Sequence, residues 1–335
     1  MLQPLLLFFA SAAAIYWACD YFVNGIEWCG RRLNVGATAV GTVLAAFGTA
    51  LPESAVTFVA VALGKTPAQQ DVGVGAAMGG PLVLATLAYA VVGLALLTNR
   101  QRLKRPDLAV QVDCRRLARD QGAFLAIFAV KVGLGLVAFA FKPWLGALFI
   151  LCYALYVWME IRNGETSAEE TKLEPLKCRP QHAEPALGWA IAQVTAALAV
   201  VSAASHVFVS QLAALGSAAH LPPHLIALLL SPVATELPET LNAVIWVRQG
   251  KERLALGNIS GAMMIQATIP SALGIIYTPW RFDSILLAAG IATAAAVGFL
   301  WLSFRQGRVD ARKLMGASAF YVAFWVYLIR SSGFG

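Results

Sequence analysis

VATELPET, Val233–Thr240, puts Glu236, Pro238 and Glu239 inside an apolar run from Leu225 to Val247 that holds no other charge. Two carboxylates and a helix breaker in a stretch long enough to cross a membrane need a reason, and the first half of the chain supplies it. FGTALPES, Phe47–Ser54, matches at a displacement of 186 residues. The match extends outward: Gly64-Lys65 falls on Gly250-Lys251 at that displacement, and Asp20 falls on His206. VGVGAAMGG, Val72–Gly80, meets LALGNISGA, Leu254–Ala262, at a displacement of 182, as if four loop residues were lost. One plan is written twice.

The 335 residues are 59% hydrophobic and 13% charged with a mean hydropathy of +0.69, which excludes an ordinary water-soluble domain. The expectation is an all-α polytopic membrane protein with about ten transmembrane helices, where a span needs about 17–25 residues. They are read at 3–30, 36–63, 72–97, 121–141, 144–161, 186–216, 223–247, 254–277, 282–304 and 314–330. Loop charge agrees with that count, because Lys and Arg collect on the cytoplasmic side. The loops after the odd-numbered spans hold 20 of the 25 basic residues. Five spans per half is an odd number, so the second half enters from the opposite face and the halves form an inverted repeat. The expected units are 1–161, a cytoplasmic linker at 162–186 whose charge and proline predict a flexible tether, and 187–335.

Both termini are expected outside, in a bacterial inner (plasma) membrane. The net charge of +7 is mostly cytoplasmic loop charge facing the lipid bilayer and calls for no nucleic-acid partner. The N-terminal segment lacks a basic leader region and is read as the first span rather than a cleaved signal. The five cysteines show no CxxC pairing, so neither a disulfide framework nor a zinc site is expected.

Proline has no N–H, so Pro52 and Pro238 withhold a donor from the carbonyls of Gly48 and Ala234, and each helix is expected to break or bend. Glu53 and Glu239 follow at the start of the second half-helix, where the helix dipole favours an ionised carboxylate. In an inverted repeat the breaks face each other and the glutamates converge. Surrounded by oxygens, they form a site suited to a hard divalent cation such as Ca²⁺. Thr49 and Thr235 add hydroxyl or main-chain oxygens, and the carbonyls of Ala46 and Pro232 are further contributors. An ionisable residue within a span costs roughly 2.5–3.5 kcal/mol and is a functional candidate by default.

These residues resemble the Ca²⁺/cation antiporter superfamily, in particular its sodium/calcium exchanger branch. The likeness covers two α-repeats at about 19–97 and 205–277, with Ala50 where the family's G-T-S-L-P-E core has serine. The resemblance implies ten helices, with broken helices 2 and 7 joined by helices 3 and 8 around the cations. It makes Glu53 and Glu239 the central ligands, with Thr49 and Thr235 contributing carbonyls. It also implies alternating access, by sliding of spans 1 and 6. Helices 3 and 8 of the family carry G-S followed by Asn or Asp. Here Gly79-Gly80 lack the serine, Leu84 stands for the Asn, and only Gln266 remains as a polar ligand in span 8.

Glu236 has no counterpart, since Ala50 stands opposite. It either replaces a lost ligand, carries a proton, or faces water at a vestibule. The expected function is export of Ca²⁺ in exchange for Na⁺ or H⁺, the alternatives being another divalent cation or a cation channel. An intramembrane enzyme lacks its motifs: no paired-aspartate G-x-G-D, Ser–His dyad or H-E-x-x-H is present. No cofactor is expected, the cations being cargo, and the oligomeric state is left open. Asp20 and His206 are read as helix-packing groups, Asn258 as a cap at the start of span 8, and Lys131 as a snorkelling or paired lysine with no assigned role.

Overall fold

The computed structural model describes residues 2–32, 37–103, 107–163, 174–182 and 184–331, with the backbone alone for 37–49, 160–163 and 238. In chain order the helices of the first half are α1 (Leu2–Arg32), α2 (Ala37–Ala62), α3 (Pro67–Val83), α4 (Tyr89–Asn99), α5 (Cys114–Leu136) and α6 (Leu145–Asn163). The second half contains α7 (Leu187–Ala218), α8 (Pro223–Thr235), α9 (Leu237–Arg248), α10 (Glu252–Tyr277), α11 (Ser284–Arg305), α12 (Ala311–Gly316) and α13 (Ser318–Ser331). A π-helical turn, Leu84–Ala88, joins α3 to α4, so Pro67–Asn99 is a single crossing. The wide turn follows Pro81, whose ring and missing N–H disturb the regular ladder.

Seven of these segments are long and apolar enough to cross a membrane on length and composition alone. The first part of α2, the charged first turns of α5 and the split between α8 and α9 account for the rest, giving ten crossings. The chain is an all-α polytopic membrane protein of two inverted five-helix repeats. Its packing has the symmetry this requires. α1 packs on α7 and α5 on α11, α2 on α10 as α3 on α8, and α6 on α10 as α4 on α12. Exchanging the halves maps each contact onto another in the set.

Burial sorts the helices into centre and rim. In its most apolar 18-residue window α10 is 78% buried and the α3–α4 crossing 67%, against 28% or less for α1, α7 and the α12–α13 crossing. The rim helices turn large apolar side chains outward, among them Phe9 and Trp17 on α1 and Ile191 and Leu198 on α7, as a lipid-facing surface does. Small residues let the central helices approach. A Cβ on Gly79 would lie 2.4 Å from the Leu228 carbonyl oxygen of α8, so only glycine permits that crossing.

The described end of the linker, residues 174–182 and 184–186, departs from the flexible tether its composition predicts. Of its described residues, Leu176 is fully buried against Trp28 and Ala190. Trp28 Nε1 and Asn24 Nδ2 donate to the Glu174 carbonyl, and the Lys177 N–H donates to Asn24 Oδ1 at 3.0 Å. The Cys178 N–H donates to Gln193 Oε1 of α7 at 2.8 Å. Asp20 pairs with Lys177 of this strap, so it faces the loop rather than a helix interface. The segment joins α1 to α7 because its backbone groups find partners on both.

Candidate cation-binding site

The two L-P-E triplets take different backbone forms. α8 ends at Thr235, Glu236 stands between helices with φ −99° and ψ −10°, and α9 begins at Leu237. That crossing breaks, and Glu239 falls in the first turn of α9, where the dipole argument applies. α2 instead runs through Pro52 without interruption. Of the break or bend expected at Pro52, the break is absent, and Glu53 stands in mid-helix, away from any helix start. One proline deletes one hydrogen bond, and close neighbours allow a membrane helix to continue past it. In α8 the glutamate before the triplet adds a competing interaction, since the Thr235 hydroxyl reaches Glu236 Oε1 at 3.0 Å as well as the Ser231 carbonyl at 3.1 Å.

The three carboxylates nevertheless gather. Glu53, Glu236 and Glu239 are each 1% exposed, and Glu53 lies within electrostatic reach of both others. Neither oxygen of Glu53 or Glu239, nor Oε2 of Glu236, has a hydrogen-bond partner of normal geometry among the described residues. Glu236 is thus buried beside the pair, which removes the vestibule reading. Among the described residues the acids do not close on one ion-sized point; they line a site and do not clasp it.

The remaining expected residues are placed unequally. Gln266 is fully buried with its side chain turned to the Glu236 carboxylate. Thr235 is buried next to Glu236. The Pro232 carbonyl accepts the Glu236 N–H at 2.9 Å, leaving one lone pair. Ala46 and Thr49 belong to the part of α2 whose side chains lie outside the described residues. His206 is exposed. Asn258 stands two turns inside α10, so it does not cap the helix, and its Nδ2 is unpartnered.

Several oxygens were missed by the sequence reading. The hydroxyls of Thr57 and Ser231, on the helices that carry the acids, are buried and have no hydrogen-bond partner among the described residues. A signal existed: Thr57 follows Glu53 by four residues and Ser231 precedes Thr235 by four, one helical turn in each case. Gly80, in the segment that lacks the family's serine, is the wall behind Glu53. A Cβ there would lie 2.6 Å from both Glu53 carboxylate oxygens, so the acid occupies the space that a serine side chain would need. The fully buried Lys131 was also unassigned. Its Nζ donates to the Ala77 carbonyl at 2.7 Å and lies 3.5 Å from the Gln266 carbonyl.

Comparisons with known proteins agree with this fold. CaxA of Alkalimonas amylolytica, a proposed antiporter, is 24% identical over 99% of this chain and 100% of its own length. The inner membrane protein YrbG of Escherichia coli is 24% identical over 90% of this chain and 88% of its own. Among solved structures, the H⁺/Ca²⁺ exchanger CAX superposes with a TM-score of 0.74 at 18% identity, covering 97% of this chain and 82% of that one. The sodium-calcium exchanger NCX_Mj gives 0.58 at 18% identity, with 98% and 100% covered. The sequence pattern described as "Sodium/calcium exchanger protein" matches residues 3–162 and 189–332, nearly the whole of both repeats. A chain with that match, ten crossings and inverted halves belongs to the sodium/calcium exchanger family of cation antiporters.

Proposed function

We propose that the chain moves Ca²⁺ out of the cell in exchange for Na⁺ or H⁺ by alternating access, with Glu53 and Glu239 as the central ligands and Glu236 completing the site. One observation carries this reading. Three carboxylates, Glu53, Glu236 and Glu239, are buried together in the membrane, and five of their six oxygens meet no hydrogen-bond donor of normal geometry among the described residues. Buried carboxylates in lipid need a cation or a proton. An oxygen-only set suits a hard divalent ion, which takes about six to eight oxygens at about 2.3–2.6 Å. Pro232, Thr235 and, by the repeat, Ala46 and Thr49 are further contributors. Loop charge supports an orientation with both termini outside, in a bacterial inner membrane.

The test is ⁴⁵Ca²⁺ uptake into proteoliposomes of the full chain under an imposed Na⁺ or pH gradient. Uptake is expected to follow one of the two gradients. Glu53→Gln and Glu239→Gln are each expected to weaken it at least about thirtyfold, the low end of the ~2–5 kcal/mol lost on removing a buried charged partner. Normal transport in either variant would sink the assignment. Flux indifferent to both gradients would identify a channel instead.

A further inference from the structure

Two prolines near the site leave carbonyls without their helical donors. Pro81 in α3 withholds an N–H from Ala77, and Pro270 in α10 withholds one from Gln266. Freed carbonyls at membrane depth must be met by something else. Both lie against the same atom, Nζ of Lys131 on α5, at 2.7 and 3.5 Å, with the Ser271 hydroxyl also donating to the Gln266 carbonyl at 3.3 Å. The Lys131 ammonium stands 5.3 Å from the Phe128 ring centroid and 6.0 Å from that of Trp280. Trp280 Nε1 in turn donates to the Lys131 carbonyl at 3.1 Å. Carbonyl oxygens and aromatic faces are what a protein offers a monovalent cation.

Lys131 is also the one basic side chain placed in electrostatic reach of Glu53 among the described residues. It comes from a different helix than any of the three acids. The repeat has no counterpart for Glu236, and the extra acid adds one negative charge to a pair that would otherwise carry two. Lys131 adds one positive charge.

We infer that Lys131 is a built-in monovalent cation of the transport site, seated on the carbonyls freed by Pro81 and Pro270, and that it offsets the unpaired carboxylate Glu236. Three ionised carboxylates and one ammonium leave a formal charge of −2, which one divalent cation neutralises. Removing either Glu236 or Lys131 alone spoils that balance; removing both restores it. The inference rests on the cation-exchange reading and names how this chain's site is matched to a divalent ion.

The experiment is equilibrium ⁴⁵Ca²⁺ binding to the purified full chain, wild type against Glu236→Gln, Lys131→Met and the double variant, with melting temperatures measured alongside. Glu236→Gln is expected to weaken binding about tenfold or more, a modest effect for a unit charge at this depth. Adding Lys131→Met is expected to return affinity to within about threefold of wild type, a coupling that independent sites do not show. A folded double variant as weak as Glu236→Gln, or weaker, overturns the inference. If Lys131→Met is not recovered folded, Lys131→Ala extracted with methylammonium is read instead. The inference then expects methylammonium, and not tetramethylammonium at equal ionic strength, to raise its melting temperature by several degrees. Equal response to both, or aggregation in both, also overturns it. Failure of the wild type to bind Ca²⁺ would instead refute the exchange reading.

Discussion

The position of the Glu53 carboxylate against α3 makes Gly80→Ala a sharp test of the site. An added Cβ would lie 2.6 Å from each carboxylate oxygen, where ordinary contact begins at 3.4 Å, so the carboxylate must retreat by about 0.8 Å. That exceeds the roughly 0.3 Å spread of Ca²⁺–oxygen distances, so Glu53 would leave the coordination shell or hold the ion poorly. The apparent Ca²⁺ affinity in proteoliposome uptake is expected to fall about 10- to 100-fold, by analogy with the cost of ångström-scale misplacement elsewhere. Stability should not follow. The displaced group is the far end of a flexible side chain, and alanine within a helix is favoured over glycine by roughly 0.5–1 kcal/mol. Gly79→Ala is the control, because its Cβ would meet the Leu228 carbonyl at 2.4 Å and that backbone cannot swing aside. Overpacking of about 1–3 kcal/mol is expected there, lowering the melting temperature by about 2–8 °C. If Gly80→Ala kept its Ca²⁺ dependence while Glu53→Gln was inactive, Glu53 would act from some position other than the one against α3. Equal destabilisation by both glycine variants would refute the distinction between side-chain and backbone contact.

Lys142 donates to the carbonyls of Val137, Pro279 and Trp280 at 2.7–2.9 Å. Lys142→Met therefore strands three acceptors, each worth about 1–3 kcal/mol, and is expected to lower the melting temperature by several degrees while leaving Ca²⁺ affinity unchanged. In the linker strap, Asn24→Ala removes the side chain that meets Lys177, Pro175 and Gln193. Limited trypsinolysis after Lys177 is expected to quicken about fivefold or more, and unchanged cleavage would mean the strap is held elsewhere. Asp283, the N-cap of α11, feels burial that raises its pKa, outweighed by hydrogen bonds from His224 at 2.9 Å and from the Leu286 N–H, so the net direction is downward. A depressed carboxylate stabilises the fold at neutral pH, and that contribution is lost as pH falls through the folded value. Melting-temperature differences between wild type and Asp283→Asn are expected to vanish below the ordinary aspartate range.

The ten crossings were legible because hydropathy and loop charge report on lipid contact, which acts on every residue of a span. That Glu53 and Glu239 would be buried near one another was legible for a related reason: an acid in oil is costly, and its duplication at one displacement leaves little room for accident. Less was visible where the outcome depends on a neighbour distant in sequence. Nothing around Gly80 shows that a carboxylate from α2 fills its side-chain space. The linker reads as polar and loose because its composition cannot reveal that Asn24, Trp28 and Gln193 lie ready to bind its backbone. Lys131 looks like any snorkelling lysine until Pro81 and Pro270, on two other helices, are seen to free the carbonyls it meets.

The repeat itself misled in one respect, and the reason bears on mechanism. Equal triplets predict equal breaks, yet α2 is continuous through Pro52 while α8 and α9 part at Glu236. The register position that differs is Ala50 against Glu236, and only the glutamate offers its neighbouring threonine a side-chain acceptor. The two central acids are consequently held in different ways. Glu53 rides a continuous helix and leans on the wall at Gly80, whereas Glu239 belongs to the first turn of a separate short helix. A first turn lacks half its backbone hydrogen bonds and moves at lower cost than a helix interior. Under the proposed cation exchange, closing the site around an ion would fall to the α8–α9 side, with α2 and α3 as the surface against which Glu236 and Glu239 are brought.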